Sequence, residues 1–280
     1  MNHLNTEFLV DTTWLSEHLN DDDLVVVDCQ WDVNAYLRAH IPGALMRPGH
    51  PYVKSEEDGK PSTLLPNKVE FQKLLKELGI GANTTVICYD EWRNHFATRF
   101  WWVLRYYGFK NVRLLDGGWQ AWVVAGLPVS FKKHEAKDVK NEFVPIEHPG
   151  LSTSTDELLA KHKDSKWQIL DVRSEAEYNG TADSPNNRVG HIPEAINLEW
   201  SDLLQESTQG VHFFRSDEEI KKRFKDSNLD REHTIAVHCQ AGVRASFSVF
   251  CLNMLGFPHV KLYDGSMAEW ANQDHTPLIS

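Results

Sequence analysis

Short apolar runs rich in β-branched residues recur along the chain at 24–27, 84–88, 111–115, 168–170, 234–237 and 259–263. Runs of this length and composition predict strands buried on both faces, as in a mostly parallel sheet. Between them the apolar positions change period. Phe71, Leu74, Leu75 and Leu78 fall at i, i+3, i+4 and i+7, which predicts one face of a helix. Phe247, Phe250, Cys251, Met254 and Leu255 mark another, directly after the 234–237 run. Ser154-Thr155-Asp156-Glu157 has the spacing of a capping box at a helix start. Strands alternating with helices predict an α/β fold with helices on both faces of each sheet.

The pattern occurs twice. Leu24-Val25-Val26-Val27-Asp28 followed by His40-Ile41-Pro42-Gly43-Ala44 answers Trp167-Gln168-Ile169-Leu170-Asp171 followed by His191-Ile192-Pro193-Glu194-Ala195. Val86-Ile87-Cys88-Tyr89-Asp90 answers Ile235-Ala236-Val237-His238-Cys239. Gly108-Phe109 and Val112 to Trp122 answer Gly256-Phe257 and Val260 to Trp270. So many ordered matches indicate an internal duplication. The expected organisation is a domain over 1–130, a linker over 131–150 and a second domain over 151–280. The linker holds Pro145, Pro149, Gly150 and the charged run 132–138, and lacks periodicity, so a surface path is predicted.

A length of 280 residues fits two ordinary domains. The formal net charge of -11 argues against nucleic acid or an anionic membrane as partner. The four cysteines, at 29, 88, 239 and 251, lie far apart and lack zinc-site spacing, which fits a reducing compartment. No targeting segment is evident at the N-terminus, and no apolar run reaches the length of a membrane span, so a cytoplasmic protein is expected.

The chemistry concentrates at Cys239. A strand, a tight turn containing Gly242 and a helix start aim backbone N–H groups into one concavity. The helix dipole and Arg244 add positive potential. A thiol there should ionise readily and act as a nucleophile. In the first copy Asp90 falls at the position of Cys239 and cannot carry sulfur, and its turn lacks glycine and holds an acid where the second presents amides. Cys88, two residues earlier, reads as core.

The segment Cys239-Gln240-Ala241-Gly242-Val243-Arg244 resembles the active-site loop of the rhodanese superfamily, whose pattern is Cys-x-x-Gly-x-Arg between a strand and a helix. The resemblance covers nearly the whole chain. It implies two tandem rhodanese-like domains, the second catalytic and the first a scaffold. It also implies a ping-pong sulfurtransferase that needs no metal or organic cofactor. Cys239 would take a sulfane sulfur from a small anionic donor and pass the persulfide sulfur to cyanide, a thiol or a sulfur-acceptor protein. Gln240, Ala241, Gly242, Val243 and Arg244 would bind the donor and stabilise anionic sulfur, with Arg188 contacting the donor and Trp31 at the site wall. Asp171 and Arg173 would anchor the strand end, His238 would pack, and Cys29 and Cys251 would be buried and inert.

Thiosulfate is the expected donor. Mercaptopyruvate-type members carry a serine where this chain has Ala241. They have a histidine where it has Thr63, before Leu64-Leu65-Pro66, and a carboxylate-binding arginine where it has Glu177. Eukaryotic-type thiosulfate enzymes place two cations where this chain has Gln240 and Ala241, and Arg244 is expected to replace that charge. Two other readings share the loop: a cysteine-dependent phosphatase or arsenate reductase, which places one more residue between cysteine and arginine, and a non-catalytic sulfur relay.

Overall fold

A computed structural model describes residues 5–46 and 65–280, with the backbone of Glu56–Glu57 and Lys60–Pro61. The chain separates into two compact units, one of residues 1–148 with 205–214, the other of residues 149–204 with 215–280.

The first unit contains β1 (Leu9–Val10), β2 (Leu24–Asp28), β3 (Leu45–Met46), the small β4–β5 pair (Glu56–Glu57 and Lys60–Pro61), β6 (Thr85–Tyr89) and β7 (Val112–Leu115). Its helices are α1 (Thr12–His18), α2 (Val33–Arg38), α3 (Lys68–Glu77), α4 (His95–Tyr106) and α5 (Gly118–Val124). The main sheet is parallel throughout, in the order β1-β7-β6-β2-β3. The second unit begins with β8 (Ser152–Thr153), α6 (Thr155–Lys161), β9 (Trp167–Asp171), α7 (Glu175–Tyr178) and β10 (Ala195–Asn197). After β11 (Leu204–Glu206) and β12 (His212–Phe214), it continues with α8 (Asp217–Asp226), β13 (Thr234–His238), α9 (Val243–Met254), β14 (Val260–Tyr263) and α10 (Ser266–Trp270). Its parallel sheet has the order β8-β14-β13-β9-β10, the same topology as the first.

Each apolar run became one of the six longer strands, with β6 and β13 in mid-sheet, where both faces are covered and a continuous apolar run is tolerated. Phe71, Leu74, Leu75 and Leu78 all pack inward beneath α3, which Asn67 and Glu70 close with a reciprocal cap. The duplicated His-Ile-Pro blocks have a physical basis. Tyr36 stacks on His40 at 3.8 Å and Tyr178 on His191 at 3.7 Å. Each tyrosine hydroxyl donates to a carbonyl just beyond, of Ala44 or of Ala195. Trp122 and Trp270, both fully buried, each donate Nε1–H to a carbonyl 2.8 Å away, of Pro128 and Pro277.

Two expectations need correction. Ser154 caps α6 from one side only, accepting the Glu157 N–H at 3.1 Å. The Glu157 carboxylate turns instead to Lys261 Nζ at 3.0 Å and Thr153 Oγ1 at 2.9 Å, because a cation is a better donor than a neutral amide. The stretch expected as a linker is a strap on the first unit. Ser130 pairs with His40, and Glu142 with Gly81. His134 N–H donates to Tyr36 Oη, and Ile146 and His148 N–H to the carbonyls of Tyr107 and Tyr106. These bonds tie it to the first unit at several points. The first unit also takes in residues 205–214, where Phe214 N–H donates to Asp116 at 3.0 Å. Among the described residues no helix is long and apolar enough to cross a membrane.

Candidate active site

β13 ends at His238 and α9 starts at Val243, so Cys239 to Gly242 make the whole turn. Gly242 sits at φ 76°, a left-handed conformation that favours glycine, and this swings the chain into the helix. Cys239 is buried, with 1% of its surface exposed. The turn is tied down from the strand-to-helix corner after β14. Met267 N–H donates to the Cys239 carbonyl at 3.1 Å and Ala268 N–H to the Gln240 carbonyl at 2.8 Å. Ser266 does more. Its hydroxyl accepts from Cys239 N–H at 3.2 Å and Gly242 N–H at 3.0 Å, and donates to the Tyr263 carbonyl at 2.8 Å. Ser266 achieves this at φ 53°, a costly conformation for a residue with a Cβ. The first bond within α9 runs from Ser246 N–H to Gly242, leaving the Val243, Arg244 and Ala245 amides at the open helix end that follows the turn.

The first copy shows what such a turn holds. Asp90 follows β6 as Cys239 follows β13. Its carboxylate accepts from Trp92 N–H at 2.6 Å, Asn94 N–H at 2.8 Å, and Phe96 and Ala97 N–H at 2.9 Å each. The expectation that this turn lacks the amide cradle is therefore corrected: the cradle is present and filled by the protein's own anion. Counted from the first residue of each helix, the Arg244 and Ala245 amides hold the positions of Phe96 and Ala97. The turns also differ in their bracing. Gly118, at φ 54°, stands where the second copy has Ser266, and Asn94 in the first turn donates to the Leu115 carbonyl, the counterpart of Tyr263.

The cations are not placed as expected. Arg244 forms a fork with Glu177, each Nη lying 2.8 Å from a carboxylate oxygen. Burial alone would raise Glu177, but the Arg244 hydrogen bonds and charge and the Ser174 cap outweigh it and hold the carboxyl at about 2. Burial would likewise lower Arg244, yet Glu177 and the neighbouring Cys239 keep it above its ordinary value. Arg244 is thus a matched charge beside the sulfur, not a free one. Arg188 is turned away from the loop. Its guanidinium donates to the carbonyls of Trp270, Ala271, Gln273 and Thr276, closing the C-terminal end of α10. Carbonyls left over at a helix end accept from a guanidinium, whereas a turn that presents amide N–H groups offers it no acceptor. Gln240 directs its side chain to Asn186, with which it exchanges two hydrogen bonds.

Asp171 and Arg173 pair in full burial beside β13, and Arg173 also holds the carbonyls of Gly190 and Glu177. His238 is fully buried with Nδ1 on the Cys239 carbonyl, and burial lowers its pKa, keeping the ring neutral. Cys29, Cys88 and Cys251 are free and buried, and burial pushes the thiols of Cys29 and Cys251 up, which makes them unreactive. Trp31 is 54% exposed and lies 5.9 Å from Phe96 of the first unit. Thr63 and Leu64 lie outside the described residues. Ser266 and Asn186 were not singled out in the sequence, although Ser266 facing Gly118 in the repeat was a visible signal.

The ion pair gives a testable consequence. A carboxyl held at about 2 stabilises the fold above its ordinary value of 4.5, and that contribution is lost as pH falls through about 2. Glu177 therefore stays ionised from pH 5 to 9 and contributes no titration there. Glu177→Gln frees the charge of Arg244 and should speed alkylation of Cys239 by iodoacetamide at pH 7 by about threefold, a modest gain because the pair is a quarter exposed. An unchanged rate would show that Arg244 does not act on the sulfur.

The family model for the Rhodanese-like domain matches residues 11–125 and again residues 154–273. The chain is 34% identical to a "Sulfur carrier protein TtuD" of Thermus thermophilus over 99% of this chain and 98% of that one. It is 31% identical to a 3-mercaptopyruvate sulfurtransferase of Escherichia coli, over 98% and 99%. A solved structure of an EanB variant, carrying a cysteine persulfide with ergothioneine, superposes with a TM-score of 0.88 at 25% identity, covering 99% of this chain and 71% of that one. With two matches by one family model, one sheet topology built twice and full-length relatives of this kind, the chain belongs to the rhodanese-like sulfurtransferase family as a tandem of two such domains.

Proposed function

We propose that the protein transfers a sulfane sulfur from thiosulfate through a persulfide on Cys239 to cyanide or a thiol. The Cys239 thiolate attacks the outer sulfur of thiosulfate, the S–S bond of the donor breaks, and sulfite leaves with the bonding pair. The product is a Cys239 persulfide anion. Cyanide then attacks the terminal sulfur, thiocyanate departs, and the thiolate returns. Gln240 to Ala245 form the surroundings of that terminal sulfur.

The observation that carries this reading is the Asp90 carboxylate, bound through four amides in the homologous turn. In the first copy amides alone bind the anion; in the second the Gly242 N–H is taken by Ser266, and the Arg244 and Ala245 amides hold two of the four donor positions. In the second copy the side chain at that position is a thiol, so the anion it is built to hold is sulfur-borne, either the thiolate's own persulfide or the donor's reacting group.

The donor reading rests on what surrounds the turn. Mercaptopyruvate asks for a cation on its carboxylate. Arg173, Arg188 and Arg244 are each engaged by protein acceptors, and Ala241 supplies no hydroxyl. Thiosulfate is compact and its charge lies close to the attacked sulfur, where the helix-end amides point. With cyanide as common acceptor at fixed pH and salt, kcat/KM for thiosulfate should exceed that for mercaptopyruvate by about tenfold, the worth of one misplaced charge contact. A preference for mercaptopyruvate would overturn the donor assignment and leave Cys239 as the nucleophile.

The relative named as a sulfur carrier favours a second reading, in which Cys239 only receives sulfur from a partner enzyme. Purified protein incubated with thiosulfate alone separates the two. A gain of about 32 Da, one sulfur atom, on Cys239 supports direct transfer, and no gain supports relay.

A further inference from the structure

The second copy differs from the first by a longer connection between the stacked tyrosine and histidine, Tyr178 to His191 against Tyr36 to His40. The far end of this connection is firmly fixed. Arg188 is fastened to the end of α10, Asn187 N–H donates to Asn272 Oδ1 at 2.8 Å, and His191 pairs with Ile279. At its near end, Thr181 and Ala182 N–H donate to the Ala176 carbonyl. Between these anchors Asp183, Ser184 and Pro185 arch through solvent. Asn186, half-buried, turns back beneath the arch. It donates Nδ2–H to Gln240 Oε1 at 3.1 Å and accepts from Gln240 Nε2 at 2.9 Å. Gln240 is the residue directly after Cys239. The arch and Gln240 border a cavity of about 50 Å³, also lined by Arg173, Glu177 and Arg188, which lies beside the turn and is not lined by Cys239 itself. Such a space admits water or a small ion and excludes a peptide-sized molecule.

We propose that Asn186 is a specificity-determining residue, which through its amide pair with Gln240 holds the arch beside the Cys239 turn and restricts sulfur acceptors to small molecules. The proposal rests on Cys239 as persulfide carrier. Two neutral hydrogen bonds join arch and turn, so the latch is strong enough to dominate the population and weak enough for one substitution to release it. Asn186 touches no reacting atom; it reaches the turn through Gln240, and its Oδ1 also accepts from Asn272 Nδ2–H at 3.2 Å, which ties the latch to the end of α10. The first copy, which has the short connection, carries Glu91 at the position of Gln240 and has no such partner for it among the described residues.

The experiment uses the full chain with Asn186→Ala and, as a second variant that keeps a polar arch, Asn186→Ser. Each is assayed with thiosulfate as donor and cyanide or glutathione as acceptor. In parallel, Cys239 is labelled by iodoacetamide and by a bulky pyrene maleimide, which reads access without sulfur transfer. Both variants should raise kcat/KM for glutathione relative to cyanide by about fivefold, and the maleimide-to-iodoacetamide rate ratio by a similar factor, as expected from losing two neutral hydrogen bonds. A loss of packing alone would lower activity with both acceptors and leave their ratio alone. Unchanged ratios in both folded variants would overturn the proposal. If the labelling ratio shifts while no variant and no wild-type protein transfers sulfur, the arch is as proposed and the reading of the reaction fails.

Discussion

Cys239→Ser should reduce sulfur transfer by about a thousandfold or more, because the attacking atom is lost and no neighbouring group can take its part. Serine is nearly isosteric, the side chain is buried, and the anchoring bonds of the turn come from the backbone of 239 and 242, so the fold should survive. The measurements are steady-state turnover with thiosulfate and cyanide, and intact-protein mass after donor alone. Wild type should gain about 32 Da, the mass of one sulfur atom, and the variant nothing. Cys88→Ser serves as the control. Cys88 lies inside β6 of the first unit and is fully buried, so turnover per folded molecule should not change. Substantial turnover by Cys239→Ser would end the assignment of the nucleophile.

Ser266→Gly should have the next largest effect, lowering kcat/KM by about ten- to a hundredfold. Gly118 shows that glycine occupies this backbone conformation in the same fold. The substitution therefore relieves the left-handed strain and removes the small hydroxymethyl group with its hydroxyl. That hydroxyl satisfies two turn amides in a buried place, and each orphaned donor costs about 1–3 kcal/mol. The turn would seek other partners and lose the arrangement that receives the sulfur. Relief of strain and loss of hydrogen bonds oppose each other in stability, so the melting temperature should move little while the rate falls. Ser266→Ala keeps the strain and loses the hydroxyl, so it should match glycine in rate and melt at lower temperature. Equal rates for wild type and Ser266→Gly would show that the hydroxyl is a folding device only.

The architecture was largely legible in the sequence. Six apolar runs became six parallel strands because mid-sheet strands are buried on both faces and need no alternation. The marginal strands of the two main sheets, Leu9–Val10, Leu45–Met46, Ser152–Thr153 and Ala195–Asn197, are two or three residues long, too short for any period to show. The chemical turn was legible because strand, glycine, arginine and helix start are contiguous. The electrostatics were not. Arg244 and Glu177 are 67 residues apart, and nothing local says that they meet. Glu177 stands where the resemblance places a carboxylate-binding arginine, and it is the counter-charge that neutralises Arg244. The resemblance implies Arg188 as a donor contact, whereas its direction is decided by the carbonyls of a helix end. The role of Ser266 needed the repeat to be read at the second corner as closely as at the first.

The carboxylate of Asp90 also bears on the history of the duplicated gene. A first copy that had merely lost its cysteine could regain it by one substitution. Asp90 makes return harder, since it ties four amides and has become part of what holds its turn together. The changes that separate the first turn from the second include a cysteine in place of Asp90, one residue fewer before the helix, a glycine where Asn94 stands, and a serine at 118 in place of the brace supplied by Asn94. A cysteine at 90 alone leaves four amides without their carboxylate, and a Cβ at 118 alone would run into the Asp90 carbonyl oxygen, so neither step back is free of cost to the present turn. Selection on folding alone therefore suffices to keep the two halves specialised, even in the absence of selection against a second reactive cysteine.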